Sequence, residues 1–185
     1  MTYYHCSPIS GLKMLKPGVP VYFDKPTRVY LSTLLPMALL YGIRNFEYTY
    51  GYTKDGQIYY EEYFPDALKI LYQGQSASLY ICDPSQVETT RIPNEVVTAS
   101  DVPVLEEICI PDVYEALLEQ ERKGALMIRK YQQLDERMLT WIRKAEKEEI
   151  LKRDLLNRGG PMAEYMKCHY PQSWEDAQKE TQALI

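Results

Sequence analysis

The chain has 185 residues, of which 45% are hydrophobic, enough for one domain with a real core plus a tail. Its formal charge of −5 argues against a broad nucleic-acid-binding face, because phosphate contacts need clustered Lys and Arg. No apolar run reaches the roughly 18 residues that cross a bilayer and the start carries no basic-then-apolar export signal, so a cytoplasmic protein with no membrane partner is expected.

In chain order, residues 2–6 read as a strand with His5 where it runs out. A helical turn over Gly11–Leu15 is ended by Pro17-Gly18, Val19–Phe23 is a short apolar stretch, and Asp24-Lys25-Pro26 turns into a strand over Arg28–Leu31. Ser32 or Thr33 caps the helix that begins near Leu34, with Pro36 tolerated in its first turn, where a missing donor costs nothing. Leu34, Ala38 and Tyr41 then share one face, and Gly42 is the stop. Asp55-Gly56, between alternating aromatic and polar residues of 47–52 and 57–61, signals a hairpin.

Pro65–Tyr72 reads as a helix burying Leu68, Ile70 and Leu71, ended by Gly74. Strands follow over Ser78–Cys82, Thr89–Ile92, Glu95–Thr98 and Val102–Ile110. Alternation in the last sends Val104, Glu106, Ile108 and Ile110 to one face and Leu105, Glu107 and Cys109 to the other. Asp112 starts a helix through Glu121, Gly124 ends it, and Ala125–Ile128 is a short strand. Composition then shifts to a charged helix over Leu134–Leu156 with Leu134, Met138, Trp141, Ile142 and Ala145 on one stripe. Arg158-Gly159-Gly160-Pro161 breaks it, and Ser173–Leu184 forms a last helix with Trp174, Ala177 and Thr181 inward.

Cys6, Cys82, Cys109 and Cys168 are widely separated with no CxxC spacing, so free thiols in a reducing compartment are expected. Cys168-His169 lacks a matching second pair, so no metal site is expected. Tyrosine is over-used, 17 against three phenylalanines, which suits either a site contacted by ring-bearing ligands or simply β-propensity at the edge of a wet sheet.

His5-Cys6-Ser7 resembles the His-Gly-Ser segment of the diphtheria-toxin-like ADP-ribosyltransferases, which include the poly(ADP-ribose) polymerases. Val29-Tyr30-Leu31-Ser32, followed by Ala38 and Tyr41, resembles the second motif of that superfamily, a strand tyrosine trailed by a helix with another tyrosine. The chain is also similar to small bacterial proteins that open with Tyr-His-x-Ser-Pro and later carry a run like Ile110–Tyr114. The resemblance covers about residues 3–130. It implies an α+β fold with split antiparallel or mixed β-sheets and short helices over 1–131, and a helical C-terminal extension over 132–185 that packs on this domain or contacts a partner, for example in a homodimer.

The resemblance further implies NAD as substrate. His5 would bond a ribose hydroxyl, the backbone at Cys6 would hold the nicotinamide carboxamide, Ser7 would add a hydroxyl, and Tyr30 and Tyr41 would sandwich the nicotinamide ring. A glutamate on a later strand would complete the site, with Glu106 the nearest match and Glu107 the second. Loss of nicotinamide leaves an oxocarbenium-like ribose, and a carboxylate on the 2′-hydroxyl stabilises that charge as it develops. Two departures stand out: Cys6 replaces a glycine, and Ala38 replaces a serine of the polymerases. The acceptor, a protein or a nucleic-acid end, is open. Two alternatives stand beside this reading: an inactive nucleotide- or partner-binding module of the same fold, and an RNA 2′-phosphotransferase. Against the latter, Arg28 and Arg44 are the only arginines near the motifs.

Overall fold

The computed structural model describes residues 1–18 and 26–183, so the expected stretch Val19–Phe23 and the turn residues Asp24 and Lys25 lie outside it. The protein is a mixed α+β chain with antiparallel sheets and several helices. It divides into two compact units, one of residues 1–60 and 68–128, the other of 61–67 and 129–185.

The first unit holds a sheet with, among the described residues, seven strands: β1 (Tyr3–Ser7), β2 (Met14–Leu15), β3 (Val29–Ser32), β6 (Ala77–Cys82), β7 (Glu88–Thr89), β8 (Glu95–Thr98) and β9 (Val102–Ile110). Their order is β2-β9-β6-β1-β3-β8-β7. The segment expected as a helical turn is instead β2: Met14 and Leu15 pair with Pro103 and Val102, and Leu15 is buried. Pairing with a long neighbour outweighs the weak local helix preference of a five-residue stretch.

Alternation along these strands fills two cores, one on each face of the sheet. On one face Leu15, Val29, Leu31, Tyr80, Cys82, Val96 and Val102 pack together. On the other, Cys6, Ala77 and Leu79 meet α1 (Leu35–Leu40), α3 (Val113–Arg122), Leu68 and Tyr72 of α2 (Ala67–Tyr72), and Ile58 and Tyr60 of β5 (Ile58–Glu61). The turn at Asp55-Gly56 joins β4 (Tyr50–Tyr52) to β5 as expected, with Tyr50 opposite Tyr60 and Tyr52 opposite Ile58. The Asp112 carboxylate accepts from Glu115 N at 3.3 Å and caps α3. In α2 the 3.6-residue period buries Leu68 and Tyr72 and leaves Ile70 55% exposed, against the expectation for Ile70.

Two features of α1 depart from expectation. Its N-cap is Leu34; Ser32 Oγ accepts from Leu34 N at 2.9 Å and donates to Leu34 O, closing a turn just before the helix rather than capping it. Gly42 matters for closeness: a Cβ there would stand 2.8 Å from Cys6 Sγ and 3.0 Å from Leu39 O. The inward stripe expected on β9 is also broken. A register shift opposite Ile81/Cys82 pairs Ile81 with Glu106 and Cys82 with Val104, so Leu105 is the extra residue of a bulge. Val104 packs in one core and Ile110 in the other, while Glu106 and Ile108 are exposed.

The second unit is mainly helical: α4 (Glu136–Lys152), α5 (Leu155–Arg158), α6 (Pro161–His169) and α7 (Pro171–Ala183). Asp135 caps α4 through Met138 N at 2.8 Å, and Ile142, Ile150, Ala163, Met166 and Ala177 are buried. Trp141, expected on the inward stripe, is 49% exposed. Helix α6 is unexpected after the Gly-Gly break; Pro161 sits in its first turn, where its missing N–H is no loss. Arg143 grips Asp176 with two bonds, at 2.6 and 2.9 Å, and Lys147 reaches Glu180 at 2.6 Å. Within this unit Tyr63, Phe64, Tyr131, His169 and Tyr170 help line a cleft of about 480 Å³. Among the described residues no helix is long and apolar enough to cross a membrane.

Candidate functional site

Strand β1 pairs with β6 over five rungs, Tyr3↔Cys82 to Ser7↔Ser78, but with β3 at the rung Tyr4↔Ser32. Past that rung a side chain makes the connection: His5 Nδ1 lies 3.0 Å from the Tyr30 carbonyl oxygen. A carbonyl only accepts, so Nδ1 carries the proton and Nε2 of the neutral ring is an acceptor. Burial pushes the His5 pKa below its ordinary value, and the bond to Tyr30 offsets that only in part. His5 is therefore neutral at pH 7, with a fixed tautomer.

Tyr30 lies between Val29 and Leu31, which belong to the core containing Tyr80, so alternation turns its ring to the α1 face. Its hydroxyl donates to Pro26 O at 2.7 Å. Tyr41 follows the last residue of α1 and meets Tyr48 in a tilted ring contact with centroids 4.5 Å apart, while its hydroxyl meets that of Tyr50 at 3.0 Å. Burial raises the Tyr41 and Tyr50 pKa values, the latter to about 12, so both hydroxyls stay protonated at neutral pH.

One carboxylate acts on this group. Glu95 opens β8 directly opposite Ser32, is 6% exposed, and accepts from Thr90 Oγ1 at 3.0 Å. After burial itself, its negative charge is among the causes that raise the pKa of Tyr30, Tyr41, Tyr50 and Tyr52. Glu95 is thus a buried acid within electrostatic reach of both expected sandwich tyrosines. The sequence reading assigned its strand correctly and overlooked the residue. The available signal was a glutamate opening a β-branched run, Glu95-Val96-Val97-Thr98, where alternation with buried Val96 gives Glu95 the opposite face.

The other expected residues fall as follows. Cys6 is buried, its thiol pushed up to about 12 by desolvation, and its Sγ packs over Gly42. The side chain that replaces glycine is therefore taken up by the α1 core, and so is Ala38. Ser7 is half-buried and its Oγ accepts from Ile9 N at 3.2 Å. Glu106 is exposed on the bulged strand. Glu107 lies on the face of Tyr80, the rung partner of both His5 and Glu107, and accepts from Gly11 N and Ser78 Oγ, each at 2.8 Å, and from Tyr80 OH at 3.3 Å. The structure thus joins His5 to the Tyr30 backbone but sets the His5 side chain with Tyr80 and Glu107 on one face of the sheet, while Tyr30 and Glu95 belong to the other face, where Glu95 acts electrostatically on Tyr30 and Tyr41.

Chemically, the arrangement offers a neutral imidazole acceptor on one face and, on the other, two aromatic rings within electrostatic reach of a buried carboxylate. Among the described residues no group of three or more His, Cys, Asp or Glu is arranged to hold a metal ion. No model of a known protein family matches the chain, and no curated protein matches it.

Proposed function

We propose that this protein is an NAD-dependent ADP-ribosyltransferase that moves ADP-ribose from NAD to a protein or nucleic-acid acceptor. The observation that carries the reading is the buried Glu95 carboxylate, on the strand paired with the one carrying Tyr30 and within electrostatic reach of Tyr30 and Tyr41. A dinucleotide bound on the α1 face would meet the tyrosines and Glu95, with His5 supporting that face from behind through the Tyr30 carbonyl.

In this reading the bond between C1′ of the ribose and the nicotinamide nitrogen breaks, and nicotinamide leaves with the electron pair. The ribose becomes oxocarbenium-like, and the acceptor nucleophile then bonds to C1′ and loses its proton. Glu95, rather than Glu106 or Glu107, is the group for the 2′-hydroxyl and the developing charge, because burial magnifies a fixed carboxylate's effect where water is excluded. Tyr30 and Tyr41 hold the leaving ring, orienting the breaking bond. His5, on the other face, serves by fixing the Tyr30 carbonyl without needing to change protonation state.

The test is nicotinamide release from NAD by wild type, Glu95→Gln, Glu106→Ala and Glu107→Ala, with NAD binding measured alongside. Release by wild type that collapses in Glu95→Gln supports the reading. An equal collapse in Glu106→Ala returns the acid to β9, and NAD binding without turnover under any acceptor favours an inactive module of the same fold.

A further inference from the structure

Directly after His5-Cys6-Ser7 the chain leaves β1 through Pro8-Ile9-Ser10-Gly11-Leu12 and re-enters the sheet at β2. Loops of this length and composition owe their conformation to whatever takes their backbone groups. Here two side chains take three of them. Tyr80 OH donates to Ile9 O at 2.6 Å and lies 3.4 Å from Leu12 N, which donates to it. Glu107 Oε1 accepts from Gly11 N at 2.8 Å and is itself steadied by Ser78 Oγ at 2.8 Å and Tyr80 OH at 3.3 Å. Ser7 Oγ closes the near end by accepting from Ile9 N at 3.2 Å.

The placement is not random with respect to the candidate site. His5, Tyr80 and Glu107 occupy one continuous rung across β1, β6 and β9, and the His5 and Tyr80 rings are 6.3 Å apart. The clasp therefore grips the segment that continues the strand carrying His5, Cys6 and Ser7.

We propose that Glu107 is a positioning residue: its carboxylate oxygen, with Tyr80, holds the Pro8–Leu12 loop and so fixes the His5-Cys6-Ser7 strand on which the proposed dinucleotide site is built. The dinucleotide part rests on the function proposed above; the clasp itself does not. Glu107 acts here as a hydrogen-bond acceptor rather than as an acid or a charge stabiliser, and that difference is measurable. A glutamine keeps the accepting oxygen and loses the charge; an alanine loses both.

The experiment compares wild type, Glu107→Gln, Glu107→Ala and Tyr80→Phe by amide hydrogen exchange at Gly11 and Leu12, and by the KM and kcat of nicotinamide release from NAD. Glu107→Ala is expected to speed Gly11 exchange about tenfold as the loop opens locally. It should raise KM by about fivefold to tenfold with kcat within about twofold, as loss of uniform binding does. Glu107→Gln should stay near wild type in both, and Tyr80→Phe should speed exchange at Leu12. Unchanged Gly11 exchange in Glu107→Ala overturns the clasp, and a kcat that falls as far in Glu107→Gln as in Glu107→Ala overturns positioning in favour of charge chemistry. Failure of wild type to bind NAD removes the dinucleotide reading of the site, and with it the docking role, while the Gly11 data still decide the clasp.

Discussion

The two faces of one sheet carry two glutamates used in opposite ways. On the α1 face Glu95 is 6% exposed and, after burial itself, is among the causes that raise the pKa of four tyrosines. On the other face Glu107 is half exposed and surrounded by donors, chiefly Gly11 N and then Ser78 Oγ, which hold its pKa below the ordinary carboxylate value. A carboxylate far from water is expensive and is kept for its field; one at the surface costs little and serves as a hook. The comparison teaches that which strand carries a glutamate says less about its role than what lines the face it turns to.

The sharpest way to break this contrast is Glu95→Gln. On the proposed reaction it should lower turnover by about 10²–10³-fold, the loss typical for one preorganised charge-stabilising group, about 2–4 kcal/mol. Nicotinamide release at saturating NAD measures it, and a smaller loss than that of Glu107→Gln would reverse the two assignments.

Next in size is Gly42→Ala, which drives a methyl to within 2.8 Å of Cys6 Sγ and 3.0 Å of the Leu39 carbonyl. We expect a loss of about 1–3 kcal/mol in urea unfolding, as for other overpacked cores. Adding Cys6→Ala should recover part of it, because the backbone contact remains. Full tolerance of Gly42→Ala would mean that the α1 face is looser than described. A smaller effect is expected from Tyr72→Phe: Tyr72 is fully buried and donates to Leu40 O at 3.0 Å, so orphaning that carbonyl should cost about 1–2 kcal/mol without touching the candidate site.

The faintest expected effects are in pH dependence, and they separate the two faces by window. The folded pKa of His5 is depressed, mainly by burial, so the folded state binds fewer protons than the unfolded one. That stability is complete above the ordinary histidine value near 6.5 and is lost as pH falls below it. His169, depressed by its own burial, adds in the same direction. Urea midpoints at pH 7.5 and 5.5 should differ, and His5→Gln should narrow the difference. Glu107, facing Lys13 and Tyr80, follows the same sign in a lower window: its contribution is complete above the ordinary glutamate value and is lost as pH falls below it. Glu107→Gln should flatten only the acid limb, below about pH 4.5.

Much of this was legible along the chain because the signals are local. Asp55-Gly56 between alternating tyrosines dictates a hairpin wherever it occurs, and Asp112 and Asp135 cap α3 and α4 by bonds that span three residues. Alternation in Val29–Ser32 and Glu95–Thr98 likewise marked strands in advance of any partner. The roles of the glutamates were not local. A single bulge at Leu105, set by how β9 meets β6, splits Val104 and Ile110 between two cores and leaves Glu106 in solvent.

By itself, then, the sequence determined the strands, turns and caps, the tyrosine richness, and the pair Tyr30 and Tyr41 about a short helix. Tertiary structure decided that Met14–Leu15 is a strand, that Cys6 packs over Gly42, and that Glu95 is the buried glutamate acting electrostatically on the tyrosines. The physical reason is range: hydrogen bonds between near neighbours are written in consecutive residues, whereas burial of a carboxyl group depends on distant strands, such as β3 and β8, coming into register at Ser32 and Glu95.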